Sequence, residues 1–159
     1  MARGRGLRHR YHMNIQTATR DDIPSLCRLL DHLFAQEAEF RPDRAAQQRG
    51  LEMIISDPAL GSILVARREG EVIGMVNLLY TVSTALGQKV ALLEDMVVLP
   101  GQRDGGTGSR LLRAALDHAA AQGCARITLL TDADNEAAQR FYRRHGFSLS
   151  PMVPLRLPL

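Results

Sequence analysis

The stretch from Lys89 to Leu112, KVALLEDMVVLPGQRDGGTGSRLL, constrains the fold more than any other part of the chain. An apolar run from Val90 to Leu99 stops at Pro100, passes through a glycine-rich turn, and gives way near Thr107 to apolar residues at helical spacing. The expected order is strand, loop, helix. Backbone N–H groups in such a loop carry no obstructing side chain and meet the positive end of the helix dipole, which suits a phosphate-bearing ligand. A glycine-rich turn that merely reverses the chain is the other reading. Two nucleotide loops are excluded by residue identity. Gly108 is followed by Ser109 and Arg110 where a Walker-type loop needs Lys and Ser/Thr, and Leu111 stands where the dinucleotide fingerprint needs its third glycine.

The remainder supplies one aliphatic core. At 159 residues, 45% hydrophobic and without tryptophan, the chain is long enough for one domain and too short for two. The net charge of +3 is misleading, because Arg3, Arg5, Arg8 and Arg10 all precede Met13; without them sixteen basic residues face seventeen acidic ones. The body is therefore not a basic surface, which argues against nucleic acid as a partner. Residues 1–12 have no apolar h-region and no run is long enough to span a bilayer, so the expectation is a soluble, cytoplasmic protein with no membrane association. The segment 1–12 reads as a disordered leader or an alternative start before a domain over 13–159, with a short phosphate-binding arm as the other reading. Cys27 and Cys124 lack a metal spacing and read as reduced core cysteines. The five histidines form no metal set, with His32 and His118 on polar helix faces and His145 at a helix end.

The periodicity predicts a first strand over Asn14–Thr19, then a capping-box start, Thr19-x-x-Asp22, and a helix carrying Ile23, Leu26, Cys27, Leu30, Leu33 and Phe34. A second helix spans Ala45–Ile55. Strands over Ser62–Arg67 and Val72–Ser83 flank the turn Arg68–Glu71, and a third strand begins at Val90, giving an antiparallel meander. A helix striped by Leu111, Leu112, Ala115, Leu116 and Ala119 then leads to a short strand, Arg126–Leu130, expected parallel to the Val90 strand. The last helix covers Asn135–His145, and the prolines at 151, 154 and 158 allow at most broken edge strands after Phe147.

Arg103-x-x-Gly106-x-Gly108 after an apolar, acid-bearing strand resembles the coenzyme A loop of the GNAT N-acetyltransferases. Downstream, Asn135, Ala138, Phe141-Tyr142 and Gly146-Phe147 are similar to that family's second block. The resemblance covers roughly residues 14–147. It implies a single α/β domain of α+β type, with a mixed, mostly antiparallel sheet, one parallel pair in its second half and flanking helices. It also implies acetyl-CoA as cofactor and direct transfer of the acetyl group to a primary amine. The pyrophosphate donors would come from Arg103, Asp104, Gly105, Gly106, Thr107, Gly108 and Ser109, and free strand amides at Met96, Val97 and Val98 would take the thioester carbonyl and pantetheine. Asp104 departs from the family, where a basic or neutral residue is usual, and Gly105 lengthens the glycine run.

The amine must attack as the neutral species although its pKa is about 10.4 in solution, so a base is useful. Glu94 and Asp95 offer carboxylates at the end of the apolar strand, and strict alternation lets only one point at the reacting centre. Relatives resembling spermidine/spermine acetyltransferase share the Leu-Glu-Asp triplet with glutamate as proposed base, which implies Glu94. The alternative for either acid is a turn cap or a surface ion pair. The family's acid toward sulfur corresponds to Tyr142, otherwise a core aromatic beside Phe141. Asn135 matches a pantetheine contact, or else is a helix cap. A non-catalytic acyl-CoA-binding module on the same fold is the rival function. For the acceptor, Phe34, Glu37, Glu39, Phe40 and Asp43 lie on the segment that lines the acceptor side in the family; their carboxylates suit a polyamine, diamine or amino-acid-like compound, while protein amines stay open. Phe147–Leu159 offers an apolar surface for a homodimer.

Overall fold

The computed structural model describes residues 12–37 and 41–159, apart from the Asp104 side chain. Five strands form one sheet: β1 (Met13–Thr17), β2 (Gly61–Arg68), β3 (Glu71–Ser83), β4 (Gln88–Val98) and β5 (Ile127–Leu129), in spatial order β1-β2-β3-β4-β5. The first three pairings are antiparallel and β4 pairs with β5 in parallel. Four helices flank the sheet: α1 (Ile23–Gln36), α2 (Arg44–Ser56), α3 (Thr107–Ala121) and α4 (Glu136–Arg144).

Local chemistry accounts for the boundaries. The Thr19 amide donates to Asp22 Oδ2 at 2.9 Å, a short 3₁₀ turn follows, and Pro24 falls in the first turn of α1, where its missing N–H is harmless. Asp43 caps α2, its Oδ1 accepting from the Ala46 amide at 3.2 Å. The β2–β3 turn places Glu69 at φ 53° and Gly70 at φ 80°, the pair of left-handed residues that a tight hairpin matching strand twist requires.

Each face of the sheet has its own core. On the α1/α2 face Leu26, Leu30 and Leu51 pack on Ile63, Val65 and Met75; on the α3 face Leu111, Leu112 and Ala115 pack on Leu64, Val76 and Leu78. The alternation of Ile63 and Val65 against Leu64 shows β2 buried on both sides. Cys27 is a free thiol in the α1 core, and burial raises its pKa. Cys124 is also free. His118, expected on a polar helix face, has its Nε2 3.0 Å from Ser62 Oγ. After Phe147 no strand forms, and Leu149, Met152, Val153, Leu155 and Leu157 are exposed. Among the described residues no helix is long and apolar enough to cross a membrane, and no histidine, cysteine or carboxylate cluster could hold a metal.

Candidate active site

The site begins where β4 leaves its neighbour. Its parallel pairing to β5 covers only Ala91–Leu93 against Ile127–Leu129, whereas β4 itself continues to Val98. From Glu94 onward the strand keeps β3 on one edge and opens on the other. In that same stretch the β3 register slips: Asn77 faces Glu94 but Met75 faces Val97, so β4 contains one extra residue. Asp95 sits in this bulge at φ 50°, a left-handed conformation that aspartate tolerates better than most residues.

The bulge overturns the alternation assumed from sequence. Ala91 and Leu93 pack toward α3, yet Val97, of the same parity, packs toward α1. Asp95 is thereby carried to a cavity of about 310 Å³ on the α1/α2 face, walled by Leu30, Phe34, Leu51 and Ile54 and floored by Asn77 and Asp95. Glu94, the base implied by the resemblance, is exposed and lines neither this cavity nor the one on the opposite face. Burial, partly offset by the Asn77 hydrogen bond and reinforced by the Glu94 charge, raises Asp95 to about 6. That value puts a mostly ionised, weakly held carboxylate in the cavity at neutral pH.

Asn77 is 2% exposed and donates from Nδ2 to Asp95 Oδ2 at 2.6 Å, while its Oδ1 has no partner. The walls are fixed by Gln47, whose Nε2 donates to the Cys27 carbonyl (3.2 Å) and to Asp31 Oδ1 (3.0 Å) and whose Oε1 accepts from the Asp43 amide (2.8 Å). These bonds latch α2 to α1. The Gln47 bond, opposed by burial and helped by Arg44, holds the Asp31 carboxyl below its usual value. Of the residues expected on the acceptor side, Phe34 and Asp43 line the cavity, Glu37 does not, and Glu39 and Phe40 lie outside the described residues.

On the loop, Gly105 (φ 76°) and Gly106 (φ 77°) are both left-handed, so the second glycine is a conformational requirement and not slack. Gly106 caps α3 without a side chain, and no acidic residue occupies the first helical turn. Gly108 and Ser109 stand in that turn, and Thr107 is fully buried. The Asp104 side chain lies outside the described set. Arg103 donates from Nε to the Val98 carbonyl at 3.0 Å, tying the loop to the open end of β4. Val97 and Val98 are buried and Met96 is half-buried against the α3 core. Arg68, at the end of β2, was not foreseen: it donates to Gln102 Oε1 at 2.5 Å and to Thr107 Oγ1 at 3.4 Å, bracing the loop from behind.

The second sequence block meets the first in space. His145 Nε2 lies 3.1 Å from Ser109 Oγ, and a Cβ placed on Gly108 would lie 3.7 Å from the Phe141 ring. Tyr142 follows, held edge-on between Phe141 (5.2 Å between centroids) and Phe147 (5.7 Å). Burial raises its phenol pKa, which keeps it protonated, and no hydrogen bond to its hydroxyl occurs among the described residues. It borders a cavity of about 760 Å³ between α3, β5, α4 and the C-terminal segment. Asn135 is exposed and caps α4, its Oδ1 accepting from the Ala138 amide at 3.1 Å. Asn77, Gln47 and Arg68 were missed from sequence; a lone amide inside the apolar run Val72–Tyr80 was the one available signal.

An acetyltransferase of the GNAT class is what this sheet and loop define. The acetyltransferase (GNAT) family model matches residues 23–147, and the chain belongs to that family. It is 33% identical over 138 residues to the uncharacterized N-acetyltransferase YhfO of Bacillus subtilis, spanning 85% of this chain and 89% of that one. It is 30% identical over 136 residues to the aminoalkylphosphonate N-acetyltransferase of Salmonella typhimurium, spanning 86% and 85%. Among solved structures, the aminoglycoside N-acetyltransferase AAC(6')-Iy in complex with CoA superposes with a TM-score of 0.77 at 20% identity, covering 92% of this chain and 95% of that one. The chain is thus an enzyme of the N-acetyltransferase kind.

Proposed function

We propose that this enzyme moves an acetyl group from acetyl-CoA directly to the primary amine of a small molecule, without a covalent enzyme intermediate. The observation that carries the reading is the β4 bulge, which joins an open strand edge to a carboxylate facing a separate cavity. The relative that acts on an aminoalkylphosphonate, as its name states, and the CoA complex of the structural neighbour support the acceptor and cofactor classes.

The left-handed glycines and the uncapped start of α3 are a cradle fitted to a diphosphate, with backbone donors from Arg103 to Ser109. When bound, acetyl-CoA supplies an activated thioester. Amides of Met96 and Val98, which alternate onto the edge β5 leaves open while Val97 stands opposite Met75 of β3, orient its carbonyl and pantetheine arm. Asp95, in place of Glu94, receives the proton lost by the amine as the nitrogen–carbon bond forms. The Tyr142 hydroxyl donates to the departing sulfur as the carbon–sulfur bond breaks, and Asn135, whose Oδ1 caps α4, would offer its side-chain NH₂ to the arm.

Following thiol release from acetyl-CoA across a panel of amines tests this. Release with wild type and with Glu94→Gln, but not with Asp95→Asn, is the expected pattern. Tight coenzyme A binding without release for any amine would return the chain to a non-catalytic acyl-CoA module.

A further inference from the structure

Taking the amine acetylation above as its premise, the acceptor cavity carries more information. Asn77 sits on its floor almost wholly buried, with one half of its amide engaged and the other not. An ionised Asp95 accepts hydrogen bonds and cannot donate, so the Asn77 NH₂ must face Asp95 and the carbonyl must be the orphan. A buried carbonyl without a donor is a standing penalty that a ligand N–H removes. Asp95 beside it accepts a second N–H. The floor therefore presents two acceptors, Asn77 Oδ1 and Asp95, a match for an amine, whose nitrogen brings an N–H to each.

The walls are aliphatic and aromatic, Leu30, Phe34, Leu51 and Ile54, and suit a methylene chain. The rim is different. Asp43 lines it but is engaged as the α2 cap, and Gln47 has its carbonyl and NH₂ occupied. Arg41 also lines it, exposed, and makes no hydrogen bond or ion pair among the described residues. The cavity thus runs from buried acceptors for an amine to an unengaged guanidinium. A diamine would set its second cation beside Arg41; a carboxylate or phosphonate there gains a charge-assisted bond.

We propose that the acceptor is a short aliphatic primary amine with an anionic group at its far end, its nitrogen seated on Asn77 Oδ1 and Asp95 and its anion on Arg41. Asn77 is then a positioning residue for the attacking nitrogen and, through its bond to Asp95, for the proton acceptor. Arg41 selects among acceptors. The polycationic acceptors compatible with the sequence are disfavoured by the same arrangement.

The test compares kcat/KM for acceptors of matched length: an alkylamine, an α,ω-diamine, an ω-amino carboxylate and an aminoalkylphosphonate. The anionic amines should lead, and Arg41→Gln should raise their KM about tenfold while changing that of the alkylamine far less. Asn77→Ala should lower kcat/KM for every amine about tenfold and move the acidic limb of the pH profile upward, because Asp95 loses the bond that holds its pKa down. A merely structural Asn77 would leave that limb in place. Preference for the diamine, or an Arg41→Gln effect equal for all amines, overturns the inference while leaving acetyl transfer intact. Should Asn77→Ala fail to fold, the acceptor ranking and Arg41→Gln still decide. No acetylation of any amine would instead strike the premise.

Discussion

The two sides of the sheet are built by different means. On the α3/α4 side the proposed cofactor loop is made of backbone: two left-handed glycines, a helix start without a side-chain cap and a strand edge that β5 does not cover. On the α1/α2 side the proposed acceptor cavity is made of side chains, a displaced aspartate and a half-satisfied amide set among apolar walls. Backbone recognition suits a ligand shared by many enzymes, because it tolerates drift in side chains. Side-chain recognition suits a ligand peculiar to one. Changes on one side should therefore move one binding constant and spare the other.

Asp95→Asn should separate the two sides most. Turnover is expected to fall by about 10²- to 10⁴-fold with coenzyme A affinity by calorimetry unchanged. The same variant should be more stable at pH 7 by about 2 kcal/mol in denaturant titration. The sign follows from a folded pKa of about 6 against a model value of 3.8. Protonated Asp95 contributes stability that is fully present below the unfolded value and is lost as pH rises through the folded one. Activity runs the other way in wild type, falling as pH drops through about 6. A flat acid limb down to pH 5 would remove Asp95 from the proton path.

Next in size is Tyr142→Phe, which should lower kcat by about tenfold or more and leave coenzyme A affinity unaltered, since only a hydroxyl donor is lost. An equal loss of affinity would assign the tyrosine to packing. Gly106→Ala should do the converse: a left-handed alanine costs about 1 kcal/mol, weakening coenzyme A binding several-fold with little change in acceptor KM. The least change is expected at Gly50, which lines the α1/α2 cavity from within α2 and has open space where a Cβ would stand. Gly50→Ala should add up to about 1 kcal/mol of stability by helix propensity while raising acceptor KM alone. Unchanged KM would show that the acceptor sits elsewhere in the cavity.

The fold was legible because its signals are periodic and local. The change from the Val90 run to the Leu111 stripe, with glycines between, located β4, the loop and α3, and the meander followed from spacing. The shape of the glycine loop was legible for the same reason, since glycine marks the backbone states it permits. Which of the two adjacent acids lines the α1/α2 cavity was not. Glu94 and Asp95 are adjacent and chemically alike, and a bulge is decided by pairing with a strand that the local sequence does not reveal. Asn77 and Arg68 were hidden likewise, because what matters in each is a partner, or the lack of one, from a distant segment. Asn135 was legible in its structural role, the α4 cap.

One extra residue in β4 has a consequence for how variants of this chain should be read. Shortening the strand by that residue would restore an even ladder and, with neighbouring letters untouched, turn a different carboxylate inward. Which acid serves is therefore a matter of counting before it is one of chemistry, and an insertion or deletion here acts as a substitution at the heart of the enzyme.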